Sequence, residues 1–294
     1  MTIAIFGGTG LTGRECVYQA LMANENVIVL AKDPYKLRVP DRLDMDGKLM
    51  TDPRLTVIKG DVKSQDDVDS IFDAAGDITG AIIVLGGKSK EVGKTMLTEG
   101  TANIINSMKH KSSAKRIAVV TSIGTGDSQD QAPLMFKILQ KTVMKSVFED
   151  KNNQEKLFLE GPGKELDYCL VRPGACASLV IFRPEHTHFI IFLFHTTSFM
   201  SCIPGPKFTF FSSHFCLKII HPPGGLGVGQ PEGVINVIKG QAGSIQRADI
   251  AAFLLGAVKD ANFPYLKQTP CVSSVSGTGW VKEKKEGFDA VTSA

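Results

Sequence analysis

The chain has 294 residues, of which 43% are hydrophobic and 21% charged, which excludes a disordered or fibrous protein and fits one large domain or two small ones. Its formal net charge is only +3, and no Lys/Arg run interleaves with aromatic residues, so nucleic acid is excluded as a favoured partner. Six cysteines, at 16, 169, 176, 202, 216 and 271, form no CxxC pair and read as buried reduced thiols rather than a disulfide framework.

In chain order, Ile3-Ala4-Ile5-Phe6 reads as an apolar strand that runs directly into Gly7-Gly8-Thr9-Gly10-Leu11-Thr12-Gly13. A strand begins within two residues of Met1, leaving no room for a signal peptide, so the expected location is cytoplasmic. A helix follows over Arg14 to Ala23, with Val17, Ala20 and Leu21 at helical spacing, and Val27 to Ala31 gives a second strand. Strand, glycine turn and helix in this order are the layout of a dinucleotide-binding turn. Glycines permit the tight reversal and a close backbone approach to pyrophosphate, whose charge meets unsatisfied N–H groups at the helix start.

A polar loop over 38–53 leads to a third strand, Leu55 to Lys59, ending at Gly60-Asp61-Val62. The alternation continues with helix Asp66 to Ala75, strand Gly80 to Leu85, helix Thr95 to Lys109, strand Arg116 to Thr121, helix over 134–160 and strand Leu166 to Val171. Near-continuous apolar strands alternating with helices predict an α/β fold: a Rossmann-like, doubly wound parallel sheet covered on both faces. Ligands of such sheets lie at the carboxyl ends of the strands. Toward the carboxyl terminus, Ser244 to Ile250 leads into a further helix, and Thr269 to Ser276 reads as a last strand.

Composition changes abruptly over 175–224. These fifty residues hold nine of the seventeen Phe and five of the six His but only four charges, with no persistent strand or helix period. Joining Gly174 to Gly225 gives an uninterrupted Arg-Pro-Gly-Gly-Leu-Gly. The block is therefore read as an insertion foreign to the fold, of the kind translated intron sequence would produce, with a lid or partner-binding loop as the alternative. The expected organisation is one dinucleotide-binding domain over 1–174 and 225–278, the insertion at 175–224, and a mobile polar tail over 279–294. The run Phe189 to Ile203 is too short and too polar to span a membrane. The insertion's His and Cys match no zinc spacing, so no metal site is expected.

The residue closing the second strand separates the two nicotinamide cofactors, because an acid there binds ribose hydroxyls and a base accommodates a 2′-phosphate. Lys32 stands there, with Lys36 close behind, which favours NADP(H). In the alternative, both lysines are solvated and Asp33 takes the ribose hydroxyls. Asp61 and Val62 close the third strand, where a carboxylate can accept from the adenine amino group and a small apolar side chain can flank the ring. Leu85-Gly86-Gly87 follows the fourth strand and lets backbone pass close to the cofactor.

Taken together, these motifs and Thr98 to Ile104 and Val171-Arg172-Pro173-Gly174 resemble the atypical short-chain dehydrogenase/reductases, and within them the NmrA-like NAD(P)-binding group that includes NADPH-dependent flavin and biliverdin reductases. The resemblance covers about 1–174 and 225–275. It implies that Gly7, Thr9, Gly10, Leu11, Thr12 and Gly13 hold pyrophosphate, Lys32 and Lys36 the 2′-phosphate, and Asp61 and Val62 adenine. Leu85, Gly86 and Gly87 would line the path to nicotinamide.

One departure bears on mechanism. None of Tyr18, Tyr35, Tyr168 or Tyr265 has Lys four residues later, so the Tyr-x-x-x-Lys acid of the wider superfamily is missing. Ser122, after the fifth strand, and Lys151, in Asp150-Lys151-Asn152-Asn153-Gln154-Glu155, remain as catalytic candidates. A conjugated small-molecule acceptor such as a flavin, quinone or linear tetrapyrrole can take hydride at a ring or bridge atom with the proton supplied by water, and it suits such a site. The alternative is an NADP(H)-binding redox sensor that turns nothing over and reports the cofactor ratio to a protein partner.

Overall fold

The computed structural model describes residues 1–40, 47–86, 93–142, 144–174, 178–182, 189–193, 232–240, 242–275 and 281–284. Apolar runs form β1 (Thr2–Phe6), β2 (Asn26–Ala31), β3 (Leu55–Lys59), β4 (Gly80–Ile83), β5 (Arg116–Val120) and β6 (Asp167–Pro173). Between them lie α1 (Leu11–Met22), α2 (Gln65–Ala75), α3 (Met96–Lys111), α4 (Leu134–Lys141) and α5 (Lys145–Leu159). A hairpin of β7 (Ser178–Phe182) and β8 (Phe189–Leu193), then β9 (Val234–Gly240), α6 (Arg247–Lys259), β10 (Cys271–Ser274) and β11 (Val281–Lys284) complete the order.

Nine strands form one sheet in the order β11-β9-β10-β6-β5-β4-β1-β2-β3. Every pairing from β10 to β3 is parallel, whereas β9 runs antiparallel to β10 and β11 antiparallel to β9. This is the Rossmann-like doubly wound fold that the alternating pattern predicts. Strand order reverses between β1 and β4, so the crevice lies beyond Phe6 and Ile83, at their carboxyl ends.

Alternation along each strand feeds two cores. Ile3, Ile5 and Val29 pack with Val17 and Leu21 of α1 and Leu254 and Val258 of α6. On the opposite face Ala4, Phe6 and Ile83 pack with Phe72 of α2, Ile104 and Met108 of α3 and Phe158 of α5. Burial on both faces is why these strands read as continuous apolar runs. Three thiols, those of Cys16, Cys169 and Cys271, are buried and unpaired, while Cys176, Cys202 and Cys216 lie outside the described residues. Among the described residues no helix is long and apolar enough to cross a membrane.

The structure corrects three sequence expectations. The helix predicted over 134–160 is two helices. Thr142 ends the first at φ −109° and ψ −89°, and its hydroxyl donates to the Ile138 carbonyl at 2.9 Å, a local side-chain bond that competes with the helical ladder. The Phe/His-rich block contains regular structure: β7 and β8 pair antiparallel, with Ser178 opposite Leu193 and Phe182 opposite Phe189, forming a sheet separate from the main one. Both runs, SLVIF and FIIFL, are continuous, so they show no alternation. Val281–Lys284, read as the start of a polar tail, adds an edge strand to β9.

The chain leaves the main sheet and returns to it on either side of one short strand. Gly174 N–H donates to the Val272 carbonyl at 2.8 Å, and Val275 N–H donates to the Gly233 carbonyl at 3.1 Å. Asp249 of α6 fixes the return, accepting from Glu232 N–H at 2.7 Å and Gly233 N–H at 3.0 Å. Exit and return are thus separated by two strand spacings of about 5 Å each, a gap that the seven residues 225–231 span easily at about 3.3 Å per residue. Deleting 175–224 is therefore expected to leave a soluble domain that unfolds in one cooperative thermal transition and keeps the full chain's affinity for a nicotinamide cofactor. Aggregation of the shortened chain, with the full chain soluble, would show that the block belongs to the fold.

Candidate functional site

The glycine turn is built by backbone crowding. Gly7 has φ +92°, and a Cβ there would lie 2.5 Å from the Val84 carbonyl oxygen. A Cβ on Gly13 would lie 2.1 Å from the Gly7 carbonyl oxygen and 2.7 Å from Gly8 Cα, so only glycine lets α1 pack this close to the turn. Gly10 N–H donates to Gly7 O at 3.0 Å, and Arg14 N–H donates to Gly10 O at 2.8 Å, which starts the helix. The N-cap is Gly10, with no side-chain cap and no acid in the first turn. The early N–H groups of α1, around Leu11, Thr12 and Gly13, would therefore meet an anion with no competing carboxylate in the first turn. Together with Thr9 they form a cradle that fits a dinucleotide pyrophosphate.

At the carboxyl ends of β2 and β3 the candidate adenosine residues meet each other. Lys32 Nζ lies 2.9 Å from Asp61 Oδ2, both partly exposed. Asp61 Oδ1 accepts from Lys63 N–H at 3.1 Å. Burial alone would raise the Asp61 carboxyl, but the hydrogen bonds from Lys32 and Lys63 outweigh it and hold the group below its ordinary range. Asp33 is otherwise engaged: its Oδ1 accepts from Tyr35 N–H at 3.1 Å, capping the short 3-10 turn Pro34–Lys36, and its Oδ2 lies 3.8 Å from Lys36 Nζ. Val62 is buried, and its carbonyl accepts from Asn103 Nδ2 at 2.9 Å. Gly100 of α3 makes room for it, since a Cβ there would lie 2.8 Å from Val62 Cγ2.

After β4, Val84 N–H donates to Phe6 O at 2.9 Å, carrying the β1/β4 pairing to the edge of the crevice. Leu85 packs against the second core and Gly86 is exposed. Gly87 lies outside the described residues.

The two catalytic candidates converge at the end of β5. Lys151 Nζ donates to the Thr121 carbonyl at 2.9 Å, one residue before Ser122. Burial lowers the Lys151 ammonium to about 8, against the opposing pull of Glu155 and Asp150. Ser122 is half-buried, and its carbonyl accepts from the Thr125 hydroxyl at 2.7 Å.

The residues that sequence reasoning missed surround this pair. Glu155 Oε1 accepts from the Thr121 and Thr125 hydroxyls, each at 2.7 Å, and from Arg172 Nε at 3.0 Å, while Oε2 accepts from Arg172 Nη2 at 2.7 Å. Arg172 also pairs with Asp127. Asp150 accepts from Leu97 N–H at 2.9 Å and Thr98 N–H at 3.0 Å, which caps α3 from a different helix. The available signal was the Asp-Lys-x-x-x-Glu spacing, which puts Asp150, Lys151, Gln154 and Glu155 near one face of a helix.

No tyrosine stands at the end of β5. Tyr168 pairs with Ile117 inside the sheet, Tyr265 packs tilted against Phe253 and edge-on to Phe263, Tyr35 is exposed beside β2, and Tyr18 lies in α1.

Comparison with known proteins agrees with this geometry. The chain matches the NAD(P)H-binding family over residues 7–179 and belongs to it. ChuY, an anaerobilin reductase from Escherichia coli O157:H7, is 18% identical with a TM-score of 0.56, covering 94% of this chain and 98% of that one. The oxidoreductase ylbE from Lactococcus lactis is 14% identical with a TM-score of 0.57, covering 93% and 91%. SP1627 from Streptococcus pneumoniae, proposed as an NADH-flavin reductase, is 13% identical with a TM-score of 0.52, covering 93% and 99%. At these identities the likeness establishes a shared fold.

Gly13→Ala tests the cradle. The added methyl group must push α1 from the turn, so NADPH affinity measured by fluorescence titration is expected to fall at least about tenfold. Unchanged affinity would place the dinucleotide elsewhere.

Proposed function

We propose that the chain is an NADPH-dependent reductase that passes hydride to a conjugated acceptor such as a flavin, quinone or linear tetrapyrrole. The observation that carries this reading is the convergence of Lys151 and Ser122 at the end of β5, with no tyrosine acid beside them. The fold likeness to ChuY and SP1627, whose descriptions name anaerobilin and flavin reduction, supports the same chemistry.

The nicotinamide cofactor supplies the hydride when bound. Gly7, Thr9, Gly10, Leu11, Thr12 and Gly13 would hold its pyrophosphate, Asp61 and Val62 its adenine, and Leu85, Gly86 and Gly87 the path between the two ends. Asp33 Oδ1 caps the Pro34–Lys36 turn, while Lys32 is held only by an exposed pair with Asp61 that a ligand phosphate can replace, with Lys36 nearby. That favours a 2′-phosphate, and hence NADPH. At the other end the Ser122 hydroxyl orients the acceptor. Lys151 holds a positive charge where an acceptor gains negative charge, and an ammonium near 8 can also give up its proton at neutral pH.

Two outcomes test the reading. Lys32→Ala is expected to weaken NADPH binding about tenfold while leaving NADH nearly unchanged, and equal losses for both would remove the 2′-phosphate assignment. Steady NADPH consumption with FMN as acceptor is expected, with kcat falling as pH rises through about 8 because Lys151 is protonated below that value and neutral above it. Lys151→Arg, which keeps its charge, should remove that basic limb. Tight NADPH binding with no turnover on flavin, quinone or tetrapyrrole would instead support the redox-sensor reading.

A further inference from the structure

A buried carboxylate lies directly beneath the proposed reaction site and belongs to neither catalytic candidate. Glu155 is 1% exposed and sits one helical turn after Lys151. It bonds all three pieces that meet there. Its Oε1 takes the Thr121 hydroxyl from the end of β5, the Thr125 hydroxyl from the following loop, and Arg172 Nε from β6.

The loop it grips has further anchors: Gly124 N–H donates to Ser128 Oγ at 2.9 Å, and Gln140 Nε2 donates to the Ile123 carbonyl at 3.2 Å. It carries two left-handed glycines, Gly124 at φ +87° and Gly126 at φ +53°. Thr125, between them, shares its one hydroxyl proton between two acceptors, Glu155 Oε1 and the Ser122 carbonyl, each 2.7 Å away, and Gly126 N–H donates to Asn152 Oδ1 at 2.9 Å. The Thr121 peptide that receives Lys151 is thus held through its side chain by Glu155 and through its carbonyl by Lys151.

We propose that Glu155 is the positioning residue of this site: it fixes the 121–126 loop and so holds Ser122 and Lys151 in one arrangement. The proposal rests on the reductase reading only for its catalytic consequence, and its structural part stands without turnover. Charged groups facing the site are Asp150 and Glu155 on the helix of Lys151, Arg172 from β6, and Asp127 from the loop. Arg172 is neutralised by Glu155 and Asp127, and Asp150 is spent on the N-terminus of α3. Glu155 is consequently the anion whose removal changes the field at Lys151 most directly.

The test uses the full chain with two substitutions. Glu155→Gln removes the charge and keeps the shape. Thr125→Val removes one hydroxyl and leaves the Glu155–Arg172 pair intact, so it reports on the loop if the first variant does not fold. Two readouts need no acceptor: amide hydrogen exchange over 121–126, and the pH midpoint for amine labelling of Lys151 read by peptide mass spectrometry. Both variants are expected to speed loop exchange about tenfold or more, and Glu155→Gln to move the labelling midpoint down by about one pH unit. If the wild-type chain turns over FMN, kcat should fall about tenfold to a hundredfold in Glu155→Gln with KM for NADPH unchanged, and Glu155→Asp should restore part of it. Wild-type exchange and an unmoved Lys151 midpoint in folded variants overturn the proposal. A wild-type chain inert toward all acceptors, with both structural readouts shifted, overturns the reductase reading and leaves the positioning role in place.

Discussion

The carboxyl-end architecture depends on a buried ion pair, Glu155 with Arg172, both almost fully withdrawn from solvent. Desolvating two charges is expensive, and such a pair is tolerated only where hydrogen bonds satisfy the remaining lone pairs and protons. Here Thr121, Thr125 and Asp127 do so. Breaking it by removing one partner would cost about 3–5 kcal/mol, a large part of what keeps a domain folded. The pair spans α5 and β6, and through the two threonines it also locks β5 and its loop. Asp150 on the same helix caps α3, and Gln154 donates to Thr101 of α3 at 2.9 Å. One stretch of six residues therefore ties together α3, α5, β5 and β6.

The carboxyl ends of β2 and β3 are held quite differently. Lys32 with Asp61 and Lys36 with Asp33 are exposed pairs, of a kind worth roughly 0–1 kcal/mol in water. Contacts this weak can be exchanged for another partner at little cost. Around Glu155 the contacts are buried, and losing one partner leaves the other unpaired. The molecule thus divides its electrostatics between a soft end and a stiff end, with the glycine turn between them.

How much of this the sequence disclosed depended on the range of the interactions involved. The glycine turn was legible because strand, turn and helix are contiguous, and the close approach of Gly13 to Gly7 is a local demand. The parallel strands were legible because burial on both faces leaves an unbroken apolar run. Strand β9 was not, because Val234–Gly240 follows the anomalous block and alternates weakly, and its pairing is with β10, more than thirty residues later. Ser122 and Lys151 were identified one by one, from a strand end and a helix motif. The bond from Lys151 to the Thr121 carbonyl, one residue before Ser122, spans thirty residues and had no sequence signal. Glu155 was passed over because an acid on a helix ordinarily reads as solvated, and only the position of Arg172 across the sheet makes it a core residue.

The same distinction of local and distant constraint applies to the Phe/His-rich block. The chain leaves at Gly174, whose Cα is pressed against the Gly243 carbonyl so closely that a Cβ would lie 1.9 Å from it, and it returns at the two N–H groups gripped by Asp249. Burial raises the Asp249 carboxyl, while those N–H groups and the Ser274 hydroxyl oppose the shift by favouring the anion. Both anchor points are defined by residues of the sheet and α6. Loop-closure entropy grows only logarithmically with length, so closing 57 residues (175–231) instead of seven (225–231) costs the fold about 2 kcal/mol. A domain with two filled cores can carry that penalty. Length is therefore a small penalty for this block; its nine phenylalanines and scarcity of charge are the larger hazard, because such segments promote association while they are exposed.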